Sequence, residues 1–97
     1  MDEFDARVAG QVGRRVRRRR RAIDMSQGDL ARRASVSRSE ISLIENAVRM
    51  PSTARLVRIA GGLVVSPAQL LTGLEWEVRE VCLSARLVDP EDGRPDG

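Results

Sequence analysis

Residues 27–52 read QGDLARRASVSRSEISLIENAVRMPS, and the middle of that stretch sets Ser37, Arg38 and Ser39 side by side, with Ser42 and Leu43 one helical turn later. Solvent-facing Glu or Lys would ordinarily fill such positions. Hydroxyls and a guanidinium do non-covalent chemistry: a serine donates or accepts at close range, and an arginine presents a rigid fork of N–H donors. The groups for covalent or metal chemistry are scarce. Histidine is absent, which removes the commonest general base and the commonest metal ligand. A single cysteine, Cys82, excludes an internal disulfide and any multi-cysteine zinc site; it reads as a small hydrophobe rather than a reactive thiol. The acids Asp2, Glu3, Asp5, Asp24, Asp29, Glu40 and Glu45 have the placement of tail, cap and ion-pair residues, not of a converging catalytic pair. An enzyme is not expected, nor a metal, nor a cofactor.

The elements that must carry these side chains are legible from caps and periodicity. Ninety-seven residues make one small domain. With one Trp, one Phe and no Tyr, its core must be aliphatic. No apolar run reaches membrane-spanning length and the start is acidic rather than signal-like, so a soluble, cytoplasmic protein is expected. Val8, Val12, Val16 and Ile23 form the stripe of a first helix, whose start Gly10 and Gly13 weaken, so residues 1–10 are expected to fray or form an arm. Ser26 caps a second helix with Asp29 at its third position, ahead of Leu30, Ala31 and Ala34. Ser37 with Glu40 three residues on predicts a capping box for a third helix that buries Ile41 and Ile44. Pro51-Ser52 opens a fourth, with Leu56, Ile59, Ala60 and Leu63 at helical spacing. Ser66-Pro67-Ala68-Gln69 opens a fifth, followed by Leu70 and Leu71. The reading is therefore all-α, five helices over residues 11–73. From Leu74 the pattern is compatible with either strand or helix, and an extended segment over 74–88 is favoured. Residues 89–97 have the composition of a disordered tail.

Small Ala31 and Ala34 let the second and third helices approach about a turn at Ser35-Val36, while Leu30, Val36, Ile41 and Ile44 fill the seam: a helix-turn-helix. In SQGDLARRA, VSRSEISLIEN and the following PS, residues 12–71 closely resemble the phage-repressor type, the Xre or Cro-like family. The resemblance implies that the third helix enters the major groove and that Ser37, Arg38, Ser39, Ser42 and Leu43 face the bases. Arg38 would then donate bidentately to guanine O6 and N7, and Leu43 would pack on a thymine methyl. It also implies phosphate contacts from Gln27, at the start of the second helix, and from Arg49 in the loop after the third. Arg20 falls in line with the buried stripe, and the family pairs this position with the glutamate that here is Glu45, a structural ion pair. Arg14, Arg17, Arg18 and Arg21 are expected in solvent, with Arg17 among the phosphate contacts.

Charge supports a polyanionic partner. Residues 1–60 hold 14 Arg against 7 acids, +7, whereas residues 61–97 hold 3 Arg against 7 acids, −4. A basic first part suits a phosphate backbone, although an Arg-rich helix is often only a solvated face. The family usually has Gly where Ser35, Ala47 and Val64 stand. Asn46 is expected to take the left-handed conformation and relieve Ala47, and Val64 to be extended after a helix ending at Gly61-Gly62. The sequence thus predicts a double-stranded-DNA-binding transcriptional regulator, a repressor reading an inverted repeat as a homodimer. Leu74, Trp76, Val78 and Val81 would form the dimer surface, and a regulatory protein partner is compatible with a chain that has no room for an effector domain. The alternatives are an adaptor using the same fold to bind protein, and an arginine-rich RNA binder.

Overall fold

Every helix among the described residues begins in the same way: a side-chain oxygen accepts the backbone N–H three residues on. The caps are Asp2, Ser26, Ser37, Ser52 and Ser66, and the donors Asp5, Asp29, Glu40, Arg55 and Gln69. The computed structural model describes residues 1–74. It comprises α1 (Glu3–Ala22), α2 (Gln27–Ala34), α3 (Arg38–Glu45), α4 (Thr53–Gly62) and α5 (Pro67–Leu71), with no strand among the described residues. None of these helices is long and apolar enough to cross a membrane.

Two of the starts close a reciprocal box, Asp29 reaching back to the Ser26 N–H and Gln69 to the Ser66 N–H. The box predicted at Ser37 is only half made. Ser37 accepts from the Glu40 N–H at 3.0 Å, but the Glu40 carboxylate turns inward toward Arg55 and Arg49. The expected arm or frayed start over residues 1–10 also differs from the structure. Asp2 caps α1 at Glu3, and Glu3 and Asp5 in the first turn favour the positive end of the helix dipole, offsetting the glycines.

The first four helices also end alike. Asp24, Ser35, Ala47 and Val64 adopt positive φ, at 54°, 57°, 62° and 60°. After each, the next residue's N–H bonds back into the helix, from Met25 to Arg20 O, Val36 to Ala31 O, Val48 to Leu43 O and Val65 to Ala60 O. This is the Schellman turn, which usually places glycine at the left-handed position. Two expectations are corrected here. Asn46 stays at φ −93° and Ala47 takes the left-handed turn; Val64 is left-handed, not extended. The apolar residue after the turn repays the strain by packing on the core, as Met25, Val36 and Val65 do.

The core is aliphatic: Val12, Val16, Leu30, Ile41, Ile44, Ile59 and Leu63 are fully buried. α2 packs on α3 and α4, α1 on α3 and α5, and α4 on α5. Glycine sets the crossing of α1 and α3, since a Cβ on Gly13 would lie 2.4 Å from Ile44 O. Leu74 is 6% exposed and belongs to this core. The fold therefore runs at least one residue past the predicted boundary at 73, and Leu74 is not free to form a dimer surface. Trp76, Val78 and Val81, the predicted extended segment 74–88 beyond its first residue, and the predicted tail 89–97 lie outside the described residues.

Candidate nucleic-acid interface

The polar side chains picked out at the start of α3 lie on its outer face. Ser37, Arg38 and Ser39 are exposed, and Ser42 and Leu43, one turn on, are half-buried. The opposite face is locked down by Ile41 and Ile44. Arg38 is exposed and has no hydrogen bond or ion pair among the described residues, which leaves the donors of its guanidinium fork unspent.

Beneath this face, in the last turn of α3, lies the buried carboxylate of Glu45. Glu45 is 4% exposed and accepts from Arg20 twice, Nε at 2.7 Å and Nη2 at 2.9 Å. Arg20 also donates Nη1 to Met25 O at 2.8 Å, so its fork is filled. Gln27 Nε2 donates to Glu45 Oε1 at 3.1 Å and Arg17 Nε at 3.4 Å. Burial alone would push the Glu45 carboxyl up; the hydrogen bonds and charge of Arg20, Gln27 and Arg17 outweigh it and hold the group below the usual glutamate range. Arg20 is held correspondingly above its ordinary value by its hydrogen bond to Glu45. The cluster ties α1 and the first turn of α2 to the last turn of α3, which fixes the angle at which α3 is presented.

Arg17 departs from its expected place in solvent. Its side chain is 37% exposed, and Nη2 donates to Asn46 Oδ1 at 2.9 Å. Asn46 in turn donates to Ser42 Oγ at 3.4 Å. Gln27, expected to bind phosphate, spends one amide hydrogen on Glu45. Arg49, the other expected phosphate contact, sits with Nη1 3.8 Å from Glu40 Oε2 and is half exposed. Arg55 Nε lies closer, at 3.2 Å. Both are charge contacts without hydrogen-bond alignment, because Glu40 Oε2 is buried with no hydrogen-bond partner. Arg14, Arg18 and Arg21 are exposed, as expected.

The α2–turn–α3 unit, with its outward polar face and braced inner face, coincides with a family match: residues 16–70 match the model described as Helix-turn-helix. The chain belongs to the helix-turn-helix family. It is of the Xre type, a family of DNA-binding transcriptional regulators and not of enzymes. The chain is 39% identical over 79 residues to an uncharacterized transcriptional regulator in the ATPase CF(0) region of Rhodospirillum rubrum, across 77% of this chain and 73% of the relative. Its fold is similar to that of the restriction-modification controller protein C.AhdI from Aeromonas hydrophila. There the TM-score is 0.63 and the identity 29%, covering 64% of this chain and 94% of the controller. A point mutant of the restriction-modification controller protein C.Esp1396I is similar at TM-score 0.65 and 29% identity, covering 75% and 95%.

In this helix-turn-helix protein the structure also brings to the site residues for which the sequence implied no part in it. Asn46 links Arg17 to Ser42. Arg55, at the start of α4, stands beside Arg49. Val48 is 65% exposed in the same loop. Asn46 follows directly on the quoted stretch's Glu45, but its two partners lie four and 29 residues away, and only the folded chain brings all three together.

Proposed function

We propose that this regulator is a repressor that binds an inverted repeat as a two-fold dimer, with α3 of each protomer in a major groove. The observation that carries this reading is the free guanidinium of Arg38 on an α3 face of short hydroxyls, where neighbouring arginines are already engaged. Arg38 reads a guanine through O6 and N7, Ser37, Ser39 and Ser42 contact base edges or sugar-phosphate, and Leu43 packs on a thymine methyl. Gln27, Arg17 and Arg49 contact phosphates on either side, each keeping donors beyond its internal contact. One such domain spans only a half-site, so two copies related by a two-fold axis match a palindrome.

The dimer surface we assign to the outer face of α5, where Leu71 is 37% exposed, together with Trp76, Val78 and Val81. The 39% identity to a transcriptional regulator and the likeness to two restriction-modification controller proteins support a role in controlling gene expression. Repression by occlusion needs no surface beyond the DNA interface, and control then rests on concentration or on a regulatory protein partner in the cytoplasm. The test is selection of bound duplexes from a random library at near-physiological salt. Enrichment of an inverted repeat with half-site centres about one helical turn apart is expected. Binding without enrichment, collapsing steeply with salt, would mean phosphate contacts alone and sink the reading.

A further inference from the structure

α1 turns two different arginine faces to its surroundings. Gly13, Arg17 and Arg20 face α3, whereas Arg15 and Arg19 lie about half a turn round the helix and face the ends of α4 and α5. There, Arg15 Nη1 donates to Leu70 O at 3.3 Å and Arg19 Nε to Leu63 O at 3.0 Å. With Arg18, Val65, Leu70 and Gln69 they line a groove of about 450 Å³. None of the three arginines is in an ion pair among the described residues, and Arg18 is exposed without a partner. Three like charges within five residues of one helix repel each other and call for a counter-charge. A duplex read by α3 would meet the outer face of that helix and not this groove, so specific binding does not supply it, whereas DNA held non-specifically can meet any basic face.

The chain itself arrives at this groove. Leu74 is buried in the core, and Gly73, at φ 89°, passes so close that a Cβ there would lie 3.0 Å from Arg15 Nη2. The next six residues, EWEVRE, carry three carboxylates, Glu75, Glu77 and Glu80, in a part of the chain whose net charge is −4. We propose that the acidic residues 75–80 dock on the Arg15–Arg18–Arg19 groove of the same chain. Each extended residue spans about 3.3 Å, so Glu75 and Glu77 come within reach of Arg15 without any crossing of the molecule. Trp76 and Val78, between the acids, are left for a second copy. The arginines are neutralised internally, and the number of phosphates that the protein engages on arbitrary DNA is held down.

The absence of lysine provides the test. In full-length Arg18→Lys, the new side chain is the sole amine besides the N-terminus, and a carbodiimide joins it by an amide bond to a carboxylate in contact with it. Without DNA, the expected product has monomer mass and links the introduced amine to Glu75, Glu77 or Glu80, with a yield that falls in 1 M salt as screening shortens to about 3 Å. A covalent dimer would assign the segment to a second copy, and links only elsewhere, or none, would leave the groove uncovered; each overturns the proposal without touching the DNA reading. A second measurement uses Glu75→Gln/Glu77→Gln/Glu80→Gln. Its non-specific DNA binding should fall more steeply with salt than wild type, the log–log slope growing by up to about 2.7 if three arginines are freed. An unchanged slope would mean the arginines were never masked.

Discussion

A guanidinium that is already filled has little to offer a base, and this separates Arg38 from Arg20. Arg38→Ala should leave thermal unfolding unchanged and weaken binding to the selected operator by about 1–3 kcal/mol per half-site, read by fluorescence anisotropy, with the loss confined to one base position. Glu45 belongs to stability. Its folded carboxyl is held below the usual glutamate range, so the stabilisation it brings is complete above the ordinary value of about 4.3 and is lost as pH falls through the lower folded value. Arg20, held above its ordinary value, loses nothing in that window. Glu45→Ala leaves Arg20 buried and unpaired and should cost about 3 kcal/mol near neutral pH. Urea unfolding across a pH series should show the gap between wild type and the variant narrowing in acid; a constant gap would refute the assignment.

At the scale of the elements, backbone geometry decides more than propensity. Gly13 looks like a weak point in a helix, yet α1 and α3 touch there. Gly13→Ala, a gain in helix propensity of about 1 kcal/mol, should nevertheless destabilise by at least about 1–3 kcal/mol, because its Cβ meets a carbonyl that cannot yield without moving α3. Val64→Gly has the opposite sign. Val64 is 67% exposed, so no burial is lost, and removing a β-branched residue from the left-handed region should gain about 1 kcal/mol. For a domain of this size that raises the melting temperature by about 4–8 °C. An unchanged or lower midpoint would show that the turn is not strained.

For the whole molecule the decisive quantity is assembly. One domain carries one α3, and a palindrome requires two, so operator affinity should depend on protein concentration through the dimer equilibrium. Trp76→Ala is expected to shift sedimentation equilibrium toward monomer and to weaken operator binding while leaving half-site base preference intact. Loss of base preference with the dimer intact would place Trp76 elsewhere. In the proposed assembly, dimerisation and internal masking of the α1 arginines would act together on specificity, one adding a second half-site and the other limiting contacts with arbitrary phosphates.

The sequence alone determined what is decided within one or two turns of chain. Helix starts depend on a hydrogen bond spanning three residues, so Ser26, Ser37, Ser52 and Ser66 could be placed without any tertiary knowledge, and the periodic aliphatic residues marked the buried faces. The start of α1 at Asp2 was not legible, because Gly10 and Gly13 are weak helix formers and Gly13 packs on α3, far along the chain. The Arg20–Glu45 pair was legible only through the family resemblance, since its partners are 25 residues apart. What joins distant segments was decided by tertiary structure: the crossing at Gly13, the inward turn of Glu40, the tethers of Arg15 and Arg19, and the burial of Leu74. So were the left-handed turns at Ala47 and Val64, because the cost of positive φ is a local term, whereas the packing of α3 and α4 on their neighbours, which outweighs it, involves residues far away in the chain.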